Sequence, residues 1–284
     1  MVSTASRVGT GNIVGVSSAI CIGGFGAVFW MWIIAIVGSA SAFVESTLAQ
    51  IYKKKGEDGR CYGGPAYYIE AALHSRPLAI AFCIAMILTY AFGFNMLASY
   101  NLQSTFSGFS FYNPSVTPWI IGGILAVVTG WCLLGGGSRI VKVTSTLVPV
   151  MGIAYIAVAL LVVILNIANI PMVFATIFRE AFDFRAIFGA FAGSALMQGI
   201  RRGLYSNEAG MGSTPHAHAL AKVEKPHDQG TVAMVGMFID TFVVLTLTAL
   251  VILSSGLLQP LAEGGLTATK LAQAAFSQVF GSFG

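Results

Sequence analysis

The chain has 284 residues, 56% of them hydrophobic and only 9% charged, with a mean hydropathy of +0.80. That is too apolar for a soluble domain of this size and reads as a single polytopic membrane domain over residues 1–284. The net charge of +4, from 15 Lys and Arg against 11 Asp and Glu, sits in loops between apolar spans and forms no basic run interleaved with aromatics. It therefore bears on topology and argues against nucleic-acid binding.

The opening stretch, GTGNIVGVSSAICIGGFGAVFWMWIIAIVG at residues 9–38, is uncharged yet begins with two glycines flanking a threonine and runs into an asparagine. At membrane depth every freed N–H and C=O needs a partner, so a Gly-broken polar segment is tolerated mainly where it lines a cavity. A broken helix is predicted here. Residues 1–8 would rise only about 12 Å, short of half a core of roughly 30 Å, so the first half-helix is expected to be cut short and the chain to be a fragment. No cleavable signal peptide is expected before it.

Residues 12–22 are predicted as the second half of that helix and residues 27–52 as the next span, ending in Lys53-Lys54-Lys55. The following loop carries turn residues and then an amphipathic piece. From Pro77 to Ser138 there is no charge, and Gly, Ser, Asn and Pro between 104 and 118 divide the stretch into helices at about 78–103 and 118–134. A fifth span runs from the Gly135-Gly136-Gly137 turn to about Leu165, and an outer loop at 166–185 holds a short amphipathic helix, IPMVFATIFREAF. The next apolar segment, studded with Gly189, Gly193 and Gly199, is the second broken-helix candidate. A last full span covers roughly 230–255, followed by an amphipathic piece, LTATKLAQAAFSQVF.

The loops after spans 2, 4 and 6 hold Lys53, Lys54, Lys55, Arg60, Arg76, Arg139, Lys142, Arg201, Arg202, Lys222 and Lys225, and with Arg7 at the N-terminus these leave only Arg179, Arg185 and Lys270 on the other face. By the positive-inside rule these loops and the N-terminus are expected to be cytoplasmic, and the expected location is the plasma (inner) membrane. Two interrupted apolar segments five spans apart are what an inverted-repeat secondary transporter shows, with a first repeat at about 1–165 and an incomplete second at about 184–284. Half-helix N–H groups suit a carboxylate, and unwound carbonyls with an Asn or Thr oxygen suit a sodium ion.

The motif GGFGAVFWMWIIAIVG at 23–38, including Phe29 to Trp32, resembles the signature of the sodium:alanine symporter family, the alanine or glycine:cation symporters. GTGNIVGV at 9–16, GGPAYYI at 63–69, RGLYSNEAGMGS at 202–213 and FIDT at 238–241 agree with it. The resemblance implies an all-α, LeuT-like inverted-repeat fold of about seven transmembrane helices, helices 1 and 6 broken, here without the C-terminal helices. It implies sodium-coupled symport of a small neutral amino acid, alanine or glycine, with Na+ as coupling ion and no cofactor. On this pattern Thr10, Gly11 and Asn12, with Phe188, Gly189 and Gly193 of the sixth helix, would bind substrate, and Gly9 and Asn12 would bind the ion. Gly199 is the alternative break. Where many relatives carry a Gln in the third helix, this chain has Asn95-Met96-Leu97-Ala98, which bears on substrate preference.

Plainer readings stand beside these. Gly9, Gly11 and Gly15 could be helix-packing contacts, Asn12 an interhelical hydrogen bond, and Phe29, Trp30 and Trp32 packing and interface residues. Glu45, about 12 Å by helical rise from Lys53, is expected to tie to loop groups such as SNEAG. Asp240, in the middle of the seventh span, is open to ion coordination, proton coupling or a buried pair with Arg201 or Arg202. His216, His218 and His227 lack Cys or carboxylates at ligand spacing, so no metal site is expected. The scattered Cys21, Cys61, Cys83 and Cys132 read as free thiols. With no polar catalytic cluster in the spans an enzyme is not expected, nor a channel, since no filter loop or charged ring is found. The rival readings are a proton-coupled amino-acid carrier and a transport-incompetent partial product. The remaining partner is membrane lipid, and the oligomeric state is left open.

Overall fold

The computed structural model of the chain describes residues 9–57, 61–183, 194–257 and 268–281. They are helical almost throughout. A single 3₁₀ turn (Thr10–Asn12) leads into α1 (Val14–Gly23), and α2 (Gly26–Ile51) follows after a turn at Gly24. Then come β1 (Lys54–Lys55) and β2 (Cys61–Tyr62), an antiparallel pair in the register Lys54↔Tyr62 that is the one departure from the all-helical expectation among the described residues. The rest are α3 (Pro65–Leu73), α4 (Arg76–Gly108), α5 (Thr117–Leu134), α6 (Gly136–Leu165), α7 (Ile170–Ala181), α8 (Ala195–Asn207), α9 (Thr214–Ala219), α10 (Pro226–Ser254) and α11 (Ala268–Phe280).

Five of these helices, α2, α4, α5, α6 and α10, are long and apolar enough to cross a membrane, against the expected seven or so. The difference lies in α1 and α8. With 10 and 13 residues they rise about 15 and 20 Å, short of the roughly 30 Å of a hydrocarbon core. Residues 184–193, expected to begin the sixth span, lie outside the described residues. The short amphipathic helices expected at 170–182 and in the last stretch are present as α7 and α11.

The core gathers around α2, which packs chiefly on α8 and α10. Small residues make that packing close: a β-carbon on Gly199 would lie 2.5 Å from the Ala27 carbonyl oxygen, and one on Gly203 would lie 2.4 Å from Ile34 Cγ2. This is the small-residue contact by which membrane helices approach each other. Gly199 therefore does not break its helix, as the alternative expectation had it, but sits inside α8 as a contact with α2. By contrast α5 has no buried residue, and Trp119 and Leu134 are 82% and 91% exposed, faces suited to lipid tails.

At the Gly26 end of α2, α7 is clasped to the turn. Glu180 Oε2 accepts the Phe25 N–H at 2.9 Å, and Trp30 Nε1 donates to the Ala181 carbonyl at 2.9 Å. Phe29 and Trp30 also meet the Phe182 ring. Phe29, Trp30 and Trp32 thus pack and, for the two tryptophans, hydrogen-bond between helices, in line with their plainer reading.

Glycine contacts also fix the course of α8. Gly23 lies against Ala195 and Gln198, Gly15 against Tyr205 and Gly11 against Ser206, so α8 runs antiparallel to α1. Gly199 lies against Ala27 and Trp30, Gly203 against Met31 and Ile34, and Gly38 against Ala209, so it runs parallel to the first half of α2. Arg201 and Arg202 consequently lie within α8 beside the span, not in a loop after it. The remaining basic residues still carry the charge asymmetry.

Candidate functional site

The point where α1, α8 and α10 converge is polar and closed to solvent. Asn12, at the end of the 3₁₀ turn, donates from Nδ2 to Asp240 Oδ1 at 2.7 Å, while its Oδ1 accepts from the Ser206 hydroxyl at 2.6 Å. All three residues are at most 2% exposed. Gly11 makes the approach possible, since a β-carbon there would meet Ser206 Cα at 3.3 Å and the Tyr205 ring at 3.4 Å. Gly9 is exposed, and its carbonyl accepts the Asn12 N–H at 3.1 Å, closing the turn. Thr10 lies in that turn.

Asp240 stands in a π-helical turn of α10, Ile239–Leu245. Such turns widen the helix by one residue and free backbone groups, and they recur at functional sites. Here the Thr246 hydroxyl donates to the Thr241 carbonyl at 3.0 Å and accepts the Trp32 indole N–H at 2.9 Å. Two residues further, the Tyr155 and Thr248 hydroxyls meet at 2.5 Å. Of the three roles open to Asp240, the pair with Arg201 or Arg202 is not formed: neither arginine makes a hydrogen bond or ion pair among the described residues.

Beyond Ser206 the chain leaves helical geometry. Glu208 takes a left-handed φ of 54°, and Gly210 and Gly212 follow at 76° and 80°, before α9 resumes at Thr214. Asn207 Oδ1 accepts the Ala209 N–H at 3.0 Å, and Glu208 Oε2 accepts the Ser213 hydroxyl at 2.6 Å, so side chains hold the irregular segment. Phe188, Gly189 and Gly193, expected to supply substrate contacts, lie outside the described residues. Ser206, which bonds Asn12, and Tyr205, which lies over Gly11 and Gly15, fall where the sequence places a cytoplasmic loop that begins at Arg201-Arg202. The Asn-Gly-rich run SNEAGMGS was the available signal.

Glu45 is partly buried in α2, and its charge acts on Tyr68 of α3. Burial, with the Glu45 charge second, pushes the Tyr68 phenol up to about 12. Tyr90 stacks on Phe94 at 4.7 Å, and Phe94 on Tyr205 at 5.4 Å. This column, built on a second π turn (Leu88–Phe94), leads from α4 to Gly11 and Gly15. The four cysteines are free.

Chemically, a carboxylate, a carboxamide oxygen and a hydroxyl converge in a dry interior. These are hard oxygen donors suited to a small hard cation and to an ammonium group. The described residues hold no group of three or more His, Cys, Asp or Glu that could hold a metal ion.

Several apolar spans around a buried polar junction of three helices define a multi-pass integral membrane protein. The model of the sodium:alanine symporter family matches residues 1–284, and the chain belongs to that family. It is 45% identical over 282 residues to the probable sodium/glutamine symporter GlnT of Bacillus subtilis (strain 168), a match that takes in 99% of this chain and 57% of that protein. The amino-acid carrier protein AlsT of the same organism is 47% identical over 253 residues, 89% of this chain and 53% of its own length. The sodium/alanine symporter AgcS of Methanococcus maripaludis is 40% identical over 280 residues, 97% and 61% respectively. The chain thus spans somewhat more than half the length of the relatives it matches.

Proposed function

We propose that the protein carrying this chain performs sodium-coupled symport of a small neutral amino acid, alanine or glycine, across the plasma membrane. The observation that supports this most is the Asn12–Ser206–Asp240 junction within a chain of the sodium:alanine symporter family. Asp240 supplies the charge that a sodium ion needs in a dry interior. Asn12 Oδ1 and Ser206 Oγ turn from each other toward the ion, and the Gly9–Asn12 turn offers carbonyls on the same side. The substrate lies next to the ion, with Thr10 and Gly11 on the α1 side and the segment at Phe188, Gly189 and Gly193 as the proposed contribution of the sixth helix.

The arrangement proposed is the LeuT-like inverted repeat, in which interrupted helices meet at the midplane and one bundle rocks against the other. The Lys53–Lys55 end of α2 and the N-terminus are cytoplasmic. Relatives named for alanine and for glutamine leave the side-chain size of the substrate to be measured.

The buried Asp240 carboxylate also favours a second reading, in which a proton is the coupling ion. Full-length protein in liposomes decides between them. Labelled alanine, glycine and glutamine are offered under an inward sodium gradient, with choline replacing sodium, and under a proton gradient alone. Concentrative alanine or glycine uptake only with sodium is expected; uptake driven by the proton gradient in choline would replace sodium with the proton.

A further inference from the structure

We infer that Arg201 forms a carboxylate-gripping subsite through which the transported amino acid passes before it reaches the Asn12 junction. The inference rests on the transport reading above. Arg201 lies in the middle of α8, a helix packed along the first half of the α2 span, and its side chain is exposed. Neither it nor Arg202 makes an ion pair or hydrogen bond among the described residues. Gly199 against Ala27 and Gly203 against Ile34 place Arg201 about 7 Å along α2 from its Gly26 end, near the mouth of the bundle, where an exposed guanidinium faces water and any anion that enters from it.

Its position on the helix sets its direction. Residues four apart share a face, so Arg201 stands about 6 Å along the axis from Tyr205 on the same side of α8. It lies toward the end of α2 that begins at Gly26. Tyr205 in turn lies over Gly15 and Gly11 and stacks on Phe94 of α4, and the next residue, Ser206, holds Asn12. Along α8 a guanidinium and an aromatic ring therefore follow one another on one face, and Ser206, the residue after the ring and about 100° further round the helix, reaches the polar junction. A zwitterion entering from the Gly26 end meets the guanidinium first. The planar fork of Arg matches a carboxylate with two parallel hydrogen bonds, and a Lys at the same place would supply charge without that geometry. The α-carboxylate, common to every amino acid, is the group this subsite takes. Selection by side-chain size is left to the junction.

The test uses full-length protein in liposomes under an inward sodium gradient, with labelled alanine and with alaninamide, which keeps the ammonium and lacks the carboxylate, as competitor. Arg201→Gln is expected to raise the KM for alanine about tenfold or more and to narrow the preference for alanine over alaninamide by a similar factor. Turnover at saturating alanine should fall far less. Arg201→Lys should lie between the two. Wild-type uptake with an Arg201→Gln KM and preference equal to wild type would overturn the subsite alone. Absence of sodium-driven uptake by the wild type would overturn the transport reading and the subsite with it. If Arg201→Gln does not give a monodisperse protein on gel filtration, Arg201→Lys carries the test, and a wild-type KM and preference in that variant overturns the subsite.

Discussion

Asn12 and Asp240, 228 positions apart in the chain, are joined by a 2.7 Å hydrogen bond from carboxamide to carboxylate in an interior closed to solvent. Each sits where its helix departs from α geometry, Asn12 at the end of a 3₁₀ turn and Asp240 inside a π turn. The widened π turn frees backbone groups that a regular helix uses up, the 3₁₀ turn stands at the start of α1 where N–H groups lack helical partners, and the Asp240 carboxylate between them supplies charge. The bond therefore ties together two backbone segments that each depart from α geometry.

Truncating Asn12 to alanine removes both this bond and the one from Ser206. A hydrogen bond to a charged group contributes about 1.5–3 kcal/mol, so sodium and substrate should each bind about tenfold to a hundredfold more weakly in full-length Asn12→Ala. Equilibrium binding of labelled alanine across a sodium titration reads both. Wild-type sodium dependence would leave Asn12 a packing residue.

The α2–α8 contact should be intolerant of a single added methyl group. At Gly199 a β-carbon would come within 2.5 Å of the Ala27 carbonyl and Trp30 Cβ, whereas at Gly122 in α5 nothing lies within 4 Å. Overpacking of this kind costs about 1–3 kcal/mol. Gly199→Ala should lower the thermal unfolding midpoint in detergent by several degrees, and Gly122→Ala should leave it unchanged or raise it. Equal midpoints would contradict the close packing.

Tyr68, in α3, should keep its phenol proton up to about pH 12, for reasons of burial first and the Glu45 charge second. The folded protein then binds this proton more tightly than the unfolded chain. Its contribution to stability is present in full below about pH 10 and is lost as the pH rises through the folded value. The difference in phenolate absorbance between wild type and Tyr68→Phe follows this group alone. Glu45→Gln should bring its midpoint down only part of the way, and a midpoint near 10 in the wild type would count against the burial.

Cys61, in the hairpin after Lys53–Lys55, and a cysteine placed at Ser110, between α4 and α5, should lie on opposite sides of the membrane. With Cys21, Cys83 and Cys132 replaced by alanine, an impermeant thiol reagent on intact cells should label position 110 and spare position 61. The reverse pattern would invert the proposed orientation.

Apolar runs and their Gly and Pro boundaries made the spans at α2, α4, α5, α6 and α10 legible in the sequence, because length and hydropathy are properties of the segment itself. Asn12 and Asp240 stood out for a related reason, being polar residues in apolar surroundings. Their meeting did not, since a pairing across most of the chain depends on how α1 and α10 cross. The sequence misled at Arg201-Arg202. Two adjacent arginines after an apolar run read as a loop, yet Gly199 and Gly203 seat them beside α2. That shift moves the irregular segment from a supposed loop to residues 208–213, following Ser206 at the Asn12 junction. The π turns around Asp240 and Tyr90 left no composition signal at all.

Binding of radioactive sodium to purified full-length protein, wild type against Asp240→Asn, tests the central claim most directly. The substitution keeps the size of the side chain and an oxygen in place of Oδ1 while removing the charge. We expect sodium affinity to fall at least about tenfold, with sodium-stimulated alanine binding falling in parallel. Sodium binding by Asp240→Asn at wild-type affinity would show that the ion is held elsewhere and that the Asn12–Asp240 bond only fastens α1 to α10.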